Sequence, residues 1–507
     1  MTRHQRTIMI GLMTGMVLNV FEMSVVGTAM PSVVAAMGGL ALYNWVFTAF
    51  MLTSTVTLPI FGKLGDQFGR KWVYCGGLVA FLAGSIACGL SPSMAWLIAS
   101  RALQGLGAGA MFPSTMAIVG EIFSPAERGR ASAYFGPVFL VGGLLGPVIG
   151  GFIVDGLGWR WVFYACVPFG LAAMVIMLSA LESKPRQPGP LHLDIAGAVL
   201  LITATTPILL ATRALDNGLS WQSPQVLGLF ALTLLAGAAF VWQENRAVAP
   251  IMPMSLMRLP IFAVSAVTEF LESGVLISVT MMLPLLAQGV IGLSPSATGL
   301  LMTPFMVLII LANMGTGQAI SRLGRYRSLA IAGFVIQSIG LLALALLPPG
   351  GTLAHISAGV LAAVGLGMLI PIYTICVQNA VPKAQIGTAT AGMQFFSQLG
   401  ESIGVTLIGM AFSTALLKAL PASLRLAGIT PDSVADLFRP EALAKMAPTS
   451  VVQLRQALAV AFTQVYWIWA LMAIAALVIT VTLLADMPLR RDEPVFDETD
   501  ELPVPGT

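Results

Sequence analysis

Residues 62–71 read GKLGDQFGRK, a short charged segment between two long apolar stretches centred near Met51 and Phe81. About 20 apolar residues are enough for a helix to cross the ~30 Å hydrocarbon core of a bilayer. The segment therefore connects two predicted membrane helices. Its glycines permit a tight turn, and Asp66 can accept hydrogen bonds from a helix terminus or from Arg70. We predict that these contacts lock one conformation of the protein.

The composition of the whole chain extends this prediction. Of 507 residues, 57% are hydrophobic and only 9% are charged, whereas a soluble domain carries roughly 25% charged residues. Lipid must therefore be the solvent for most of the chain, and backbone groups in lipid find partners only in helices or closed barrels. Apolar runs of about 20 residues, rather than alternating strands of about 10, favour helices. The net charge of +3 gives no support to nucleic-acid binding.

About fourteen such stretches follow one another along the chain. The first, from Thr7 to Met30, is too long for a signal peptide and contains Glu22, so we expect an uncleaved membrane helix. Lys and Arg concentrate in alternate connections, and the short outer loops hold only Arg160 and Arg213. This asymmetry predicts that both termini are cytoplasmic. The centres of the stretches lie near Leu18, Met51, Phe81, Gly107, Gly142, Met174, Thr203, Thr233, Val275, Val307, Ile336, Val364, Leu399 and Ala473.

An internal repeat relates the two ends of the chain. Residues 62–70 align with 317–325 at an offset of 255, and residues 107–113 and 129–143 align with 365–371 and 387–401 at an offset of 258. Two homologous halves around a central site are typical of secondary transporters. We predict an all-α polytopic membrane protein, divided into an N-terminal six-helix bundle (1–190), two inserted helices (191–245), a C-terminal six-helix bundle (246–487) and a disordered cytoplasmic tail (488–507). The long outer loop, 416–458, is expected to carry a short amphipathic helix.

Three motifs carry a family resemblance. Residues 62–71 resemble the signature loop of the major facilitator superfamily, the LIASRALQGLG segment around Arg101 resembles its fourth-helix motif, and residues 136–151 resemble the motif of its exporter branch. With about fourteen spans, nearly the whole chain resembles the fourteen-helix drug:proton antiporter branch. The resemblance implies the major facilitator fold. It also implies a conformational latch at Gly62, Gly65, Asp66, Gly69 and Arg70.

The other two motifs have different roles. Small residues in the exporter motif let helices approach closely, and its prolines bend the helix; by resemblance the motif indicates outward transport. Arg101 is the only basic residue deep in an apolar stretch, where it needs a cavity or a carboxylate. The resemblance gives it a part in proton coupling, and a structural ion pair is the alternative. The exporter motif comprises Gly136, Pro137, Gly142, Gly143, Gly146, Pro147, Gly150 and Gly151.

Four acidic residues lie inside apolar stretches, where a carboxylate is a functional hypothesis by default. Glu22, in FEMSVVGTAMP, resembles the first-helix motif of the branch, in which the acid is usually Asp; we predict a proton carrier. Glu269 and Glu272 are three residues apart on one helix face and would titrate as a coupled pair. We predict a cation or proton site there, unless the span begins one turn later and leaves Glu269 in the interface. Glu401 is either a substrate contact or a structural hydrogen-bond partner.

The sequence also bears on other classes of function. Four cysteines each lie alone in apolar stretches, which favours packing over metal binding. No phosphate-binding GxxxxGK[ST] loop occurs, so we expect no ATP-driven step, no cofactor and no enzyme activity. The predicted function is proton-coupled export of lipophilic or cationic small molecules by a monomer in a bacterial cytoplasmic membrane. Export of one endogenous metabolite is the main alternative; a nutrient importer, a channel, a sensor and a membrane enzyme are less favoured.

Overall fold

The structure, a computed structural model, describes residues 2–38, 42–123, 127–128, 131, 134–182, 194–216, 219–291, 295–347, 352–382, 385–421, 448–485 and 487–488. Nearly all of them are helical. In chain order the helices are α1 (Arg3–Met37), α2 (Tyr43–Phe68), α3 (Arg70–Gly89), α4 (Met94–Ile122), α5 (Phe135–Leu157), α6 (Arg160–Tyr164), α7 (Cys166–Ala180), α8 (Ile195–Asp216), α9 (Pro224–Glu244), α10 (Met254–Arg258), α11 (Pro260–Leu286), α12 (Pro295–Leu323), α13 (Arg327–Leu346), α14 (Thr352–Leu369), α15 (Ile372–Ala380), α16 (Ile386–Ala419) and α17 (Pro448–Leu483); a short π-helix, Ala287–Ile291, follows α11.

The number of membrane-crossing helices agrees with the sequence. Within the described residues, thirteen helical spans are long and apolar enough to cross a bilayer. Helices α6 and α7 together form one of these spans, and α14 and α15 form another. The 23-residue α5 supplies the remaining span of the predicted fourteen. The all-helical polytopic fold is thus confirmed. The predicted outer loop, 416–458, is shorter than expected, because α16 continues to Ala419 and α17 begins at Pro448. Residues 422–447, where the amphipathic helix is expected, and the tail except for Pro488 lie outside the described residues.

Local chemistry sets the ends of several helices. Thr2 begins α1 by accepting a hydrogen bond from the backbone nitrogen of Gln5 at 3.2 Å, while the Gln5 side chain accepts one from the Thr2 nitrogen at 2.8 Å. This reciprocal capping satisfies two backbone donors that a helix start leaves free. Ser93 caps α4 in a similar way, through the backbone nitrogen of Trp96.

The connection at residues 62–71 is shorter than predicted. Helix α2 continues to Phe68 and α3 begins at Arg70, so only Gly69, with φ +90°, forms the turn. Glycine adopts this left-handed backbone at little cost. Gly65 lies inside α2, and the expectation that it helps to form the turn was wrong, because one residue with positive φ is enough to reverse the chain.

Apolar side chains form separate cores in the two ends of the chain. One core joins α1, α3, α4 and α7 around Leu12, Tyr74 and Phe81. Another joins α11, α13, α14, α16 and α17 around Leu366 and Phe462. The inserted helices α8 and α9 pack on each other, and α8 also touches α2 and α16. The division of the chain into bundles stays a prediction, with which this packing agrees.

Close glycine contacts show how the repeat is built. An added Cβ at Gly107 would meet the backbone of Phe81, and one at Gly365 would meet the backbone of Gln337. Similarly, Gly142 on α5 faces Val20 and Phe21 on α1, whereas Gly400 on α16 faces Phe270 on α11. The sequence repeat aligns Gly142 with Gly400. Val20 therefore corresponds to Phe270, and two residues further on, Glu22 corresponds to Glu272.

Candidate functional site: buried carboxylates and a loop cluster

The first site joins α1 to α4 by a buried ion pair. Arg101 Nη1 donates to Glu22 Oε1 at 3.3 Å, and the two side chains are 1% and 0% exposed. Arg101 also donates to the Gln104 side chain and to the carbonyl oxygen of Val46, at 3.4 Å for the latter. The Phe50 ring centroid lies 4.3 Å from its guanidinium carbon. A fully buried pair tolerates both charges only when hydrogen bonds complete it, and Arg101 has them.

The second carboxylate oxygen of Glu22 has a different partner. Cys166, the first residue of α7, donates from Sγ to Glu22 Oε2 at 3.0 Å and is 1% exposed. The sequence favoured packing for this cysteine, because a thiol in an apolar stretch looks the same whether or not a carboxylate faces it. The structure adds a polar contact that no motif indicated.

The corresponding acid of the second half has a neutral partner. Gln337 Nε2 on α13 lies 3.0 Å from Glu272 Oε2 and 3.3 Å from Glu272 Oε1. Both side chains are buried, at 0% and 6% exposed. Sequence reasoning missed Gln337, although an amide in the middle of an apolar stretch was a usable signal.

Glu269 interacts electrostatically with two other acids. It interacts with the Ser397 hydroxyl and the Glu401 carboxylate on α16, and also with Glu272. Helix α11 begins at Pro260, so Glu269 lies about 14 Å along the helix at 1.5 Å per residue. Glu269 is therefore between two and three turns inside α11, and its position relative to the interface stays a prediction. The predicted pair is therefore part of a group of three, and its two members face different helices.

Glu269 and Glu401 are more exposed than Glu22 and Glu272. Both are only partly buried, whereas Glu22 and Glu272 are buried. A carboxylate at this depth that still has accessible surface faces a cavity or a cleft. Glu269 and Glu401 lie on α11 and α16, which pack on each other, and they interact electrostatically.

The loop cluster, which we define as Asp66, Arg70, Glu121 and Thr388, joins distant parts of the chain. Arg70 contacts Asp66 Oδ1 at 3.0 Å and Glu121 Oε1 at 3.2 Å. Asp66 Oδ2 accepts hydrogen bonds from the backbone nitrogen and the hydroxyl of Thr388 at 2.8 and 2.6 Å. Thr388 is in the first turn of α16, whose free donors and dipole favour an anion. Asp66 thus makes both contacts that the sequence allowed.

Close packing supports the loop cluster. An added Cβ at Gly62 would collide with Ala391, and one at Gly387 would collide with the Asp66 carboxylate. The two glycines therefore let α2 and the start of α16 approach until the carboxylate reaches Thr388. Gly62 thus has a packing role that its place in the motif did not specify.

Further polar contacts near the loop cluster join distant parts of the chain. Arg128 donates to the carbonyl oxygens of Gln378 at 3.1 Å and Gly120 at 2.6 Å. Gln378 Nε2 in turn donates to the carbonyl oxygen of Met116 at 3.3 Å. These contacts lie near the end of α4 that carries Glu121, so the two parts of the chain are held together at this end of the molecule.

The exporter motif forms the seam between α5 and α1. A Cβ at Gly142 would come within 2.7 Å of Val20 Cγ1, and one at Gly150 within 2.6 Å of Thr28 Oγ1. Gly146 is also buried, whereas Gly151 faces open space. Pro137 lies in the first turn of α5, where proline removes no helical hydrogen bond, so the expected bend does not arise there. The surroundings of Gly136, Gly143 and Pro147 lie outside the described residues.

Many long apolar helices that hold buried carboxylates are typical of membrane transporters. The chain belongs to the Major Facilitator Superfamily, whose sequence profile matches residues 12–405. The predicted family and fold are confirmed.

Known proteins similar to this chain include multidrug transporters. It is 36% identical over 409 residues to the multidrug transporter protein MdtP of Bacillus subtilis (strain 168), covering 80% of this chain and 75% of that protein. It is 30% identical over 407 residues to multidrug resistance protein 3 of the same organism, covering 79% and 78%. Its fold matches a bacterial homologue of the iron transporter ferroportin in an outward-facing state, with TM-score 0.62 and 12% identity over 95% of this chain and 99% of that one.

Proposed function

We propose that this protein is a proton-coupled antiporter that exports lipophilic or cationic small molecules across a bacterial cytoplasmic membrane, with both termini in the cytoplasm. The observation that carries the proposal is the buried Glu22–Arg101 pair together with Glu272 at the corresponding position of the second half. The similarity to multidrug transporters supports the substrate class.

The coupling we propose is competition between protons and substrate. In the inward-facing state, the substrate enters a central cavity, where Glu269 and Glu401 attract its positive charge. In the outward-facing state, protons that reach the carboxylates weaken this attraction and release the substrate. The two halves rock around the central site to alternate access.

The energetics favour more than one proton carrier. One proton that enters across ~100 mV and one pH unit supplies about 2.3 kcal/mol from the voltage and about 1.4 kcal/mol from the pH difference. When a monovalent cation leaves in exchange, the voltage contributions cancel and only about 1.4 kcal/mol, a tenfold gradient, remains. Steep export of cations therefore needs a second proton, and we assign Glu272 to carry it.

The loop cluster sets the conformation in this proposal. Asp66 ties α2 to the start of α16, and Arg128 ties the end of α4 to Gln378, all at the predicted cytoplasmic side. These contacts hold that side closed, and they must break before substrate can enter. In the second half Ser321 takes the place of Asp66, so the latch belongs to one half.

The first test is uptake of ethidium into energised inverted membrane vesicles, with and without an uncoupler. We expect uptake by the wild type that the uncoupler abolishes and that Glu22→Gln lacks. The exposed Asp155, two residues before the end of α5, provides the matched control, and Asp155→Asn should transport normally. Uptake that persists with the uncoupler would exclude proton coupling. If ethidium is not transported but another compound is, in a proton-dependent way, the substrate class is wrong and a dedicated exporter is the better description.

A further inference from the structure

The two carboxylate oxygens of Glu22 are held by chemically different groups. Oε1 faces the guanidinium of Arg101 at 3.3 Å, and Oε2 faces the Cys166 thiol at 3.0 Å. The three side chains are 0%, 1% and 1% exposed, so bulk water does not reach Glu22 in this conformation. Each oxygen therefore depends on its protein partner.

A thiol can serve this oxygen in both charge states of Glu22. The S–H group donates to a carboxylate, and after rotation of the hydrogen about the Cβ–Sγ bond the sulfur can accept from a carboxylic acid. Arg101 has only donors, so it can donate to Oε1 but cannot accept a hydrogen bond from a protonated oxygen. At Oε2, the described contact of Glu22 is Cys166, and this thiol can change from donor to acceptor.

We propose that Cys166 is a positioning residue for Glu22, which keeps Oε2 hydrogen-bonded before and after protonation and so sets the pH at which transport is half-maximal. The inference rests on the proposed function, because it assigns a role to Cys166 in the proton cycle of Glu22.

Besides the uncharged Gln104 side chain, which also contacts Glu22, few other groups can influence this titration. The titratable side chains that face Glu22 are Arg101 from α4, Cys166 from α7 and, at longer range, Cys88 from α3. The described residues of α5 bring no ionisable side chain to this network. Cys88 lies with its Sγ 4.0 Å from Gln104 Oε1 and makes no hydrogen bond to Glu22. It is therefore a matched control, being a second buried cysteine beside the same network.

The experiment measures the initial rate of proton-driven ethidium uptake against pH in inverted vesicles. Cys166→Ala removes the donor, and a hydrogen bond to a charged group stabilises more than one to a neutral group. The midpoint should therefore move to higher pH, by about half a unit to one unit. Cys166→Ser supplies a stronger donor of similar size, so its midpoint should move to lower pH. Cys88→Ala should leave the midpoint where it is.

Several outcomes would overturn the inference. Midpoints of Cys166→Ala and Cys166→Ser that move in the same direction, or no further than that of Cys88→Ala, show that the thiol only fills space. If Cys166→Ala is not inserted, the shift of Cys166→Ser decides, because this variant keeps the size and a donor. A wild type whose uptake is insensitive to the uncoupler overturns the proposed function as well. A proton-driven wild type with unmoved variants overturns this inference alone.

Discussion

The two halves place a buried acid at corresponding positions but give it opposite kinds of partner. Glu22 faces the permanent charge of Arg101, whereas Glu272 faces the neutral amide of Gln337. The repeat counterpart of Arg101 is Gly359, so the second half has no cation at that position. The same helix framework therefore supports two different electrostatic environments.

Arginine and glutamine partners favour different charge states of the acid that they face. An arginine stabilises a carboxylate, but it cannot accept the hydrogen bond that a carboxylic acid donates. An amide can do both, and Gln337 Oε1 is buried without a hydrogen-bond partner, so it is available to accept from a protonated Glu272. We infer that the first site is built around the charged form of its acid and that the second site tolerates either form.

The largest effect expected from this comparison is on Arg101. Arg101→Met leaves the Glu22 carboxylate buried without a counter-charge, which should cost about 3–5 kcal/mol of stability and abolish transport. Gln337→Met removes only a neutral partner and should cost about 1–3 kcal/mol. Unfolding of the purified variants in detergent measures both.

The control for this prediction is the variant in which both charges are removed. Glu22→Gln combined with Arg101→Met should recover most of the stability lost by Arg101→Met alone, because no unpaired charge remains. Equal destabilisation by Arg101→Met and Gln337→Met, or no recovery in the double variant, would show that the two sites do not differ electrostatically.

The next effect concerns the second proton. With two protons entering per monovalent cation, the exchange carries net charge and responds to the membrane potential; with one, it is electroneutral. Glu272→Gln should lower the available free energy from about 5.1 to about 1.4 kcal/mol at ~100 mV and one pH unit. Uptake of ethidium should then no longer respond to a potential imposed by a potassium gradient and valinomycin.

The contrast with Glu22 makes this measurement decisive. Glu22→Gln should abolish proton-driven uptake altogether, whereas Glu272→Gln should leave the part driven by the pH difference. A Glu272→Gln variant that still responds fully to voltage would place the second proton elsewhere, with Glu269 and Glu401 as the next acids to replace.

The sequence predicted the helices better than the partners of the acids. Lipid requires long apolar helices, so their number follows from composition and spacing alone. Asp66 was expected to bind a helix terminus, but Thr388 lies 322 residues away in the chain, and no local pattern identifies such a partner. The role of Cys166 was hidden because buried thiols are ordinary packing groups. Glu269 and Glu272 were expected to form one pair from their spacing, which does not reveal that α13 and α16 present different partners to them.

The smallest effect tests whether the helix seams beside the two acids are equally rigid. A Cβ at Gly400 would collide with the backbone carbonyl of Phe270, whereas at Gly142 the nearest atoms belong to the Val20 side chain, and the Phe21 nitrogen is 3.1 Å away. A side chain can move aside more easily than a helix backbone. Gly400→Ala should therefore cost about 1–3 kcal/mol and Gly142→Ala less, with Gly156→Ala, which faces open space, as the control. A larger loss of stability for Gly142→Ala than for Gly400→Ala would contradict this prediction. It would mean that the helix contact beside Glu22 is more rigid than the one beside Glu272.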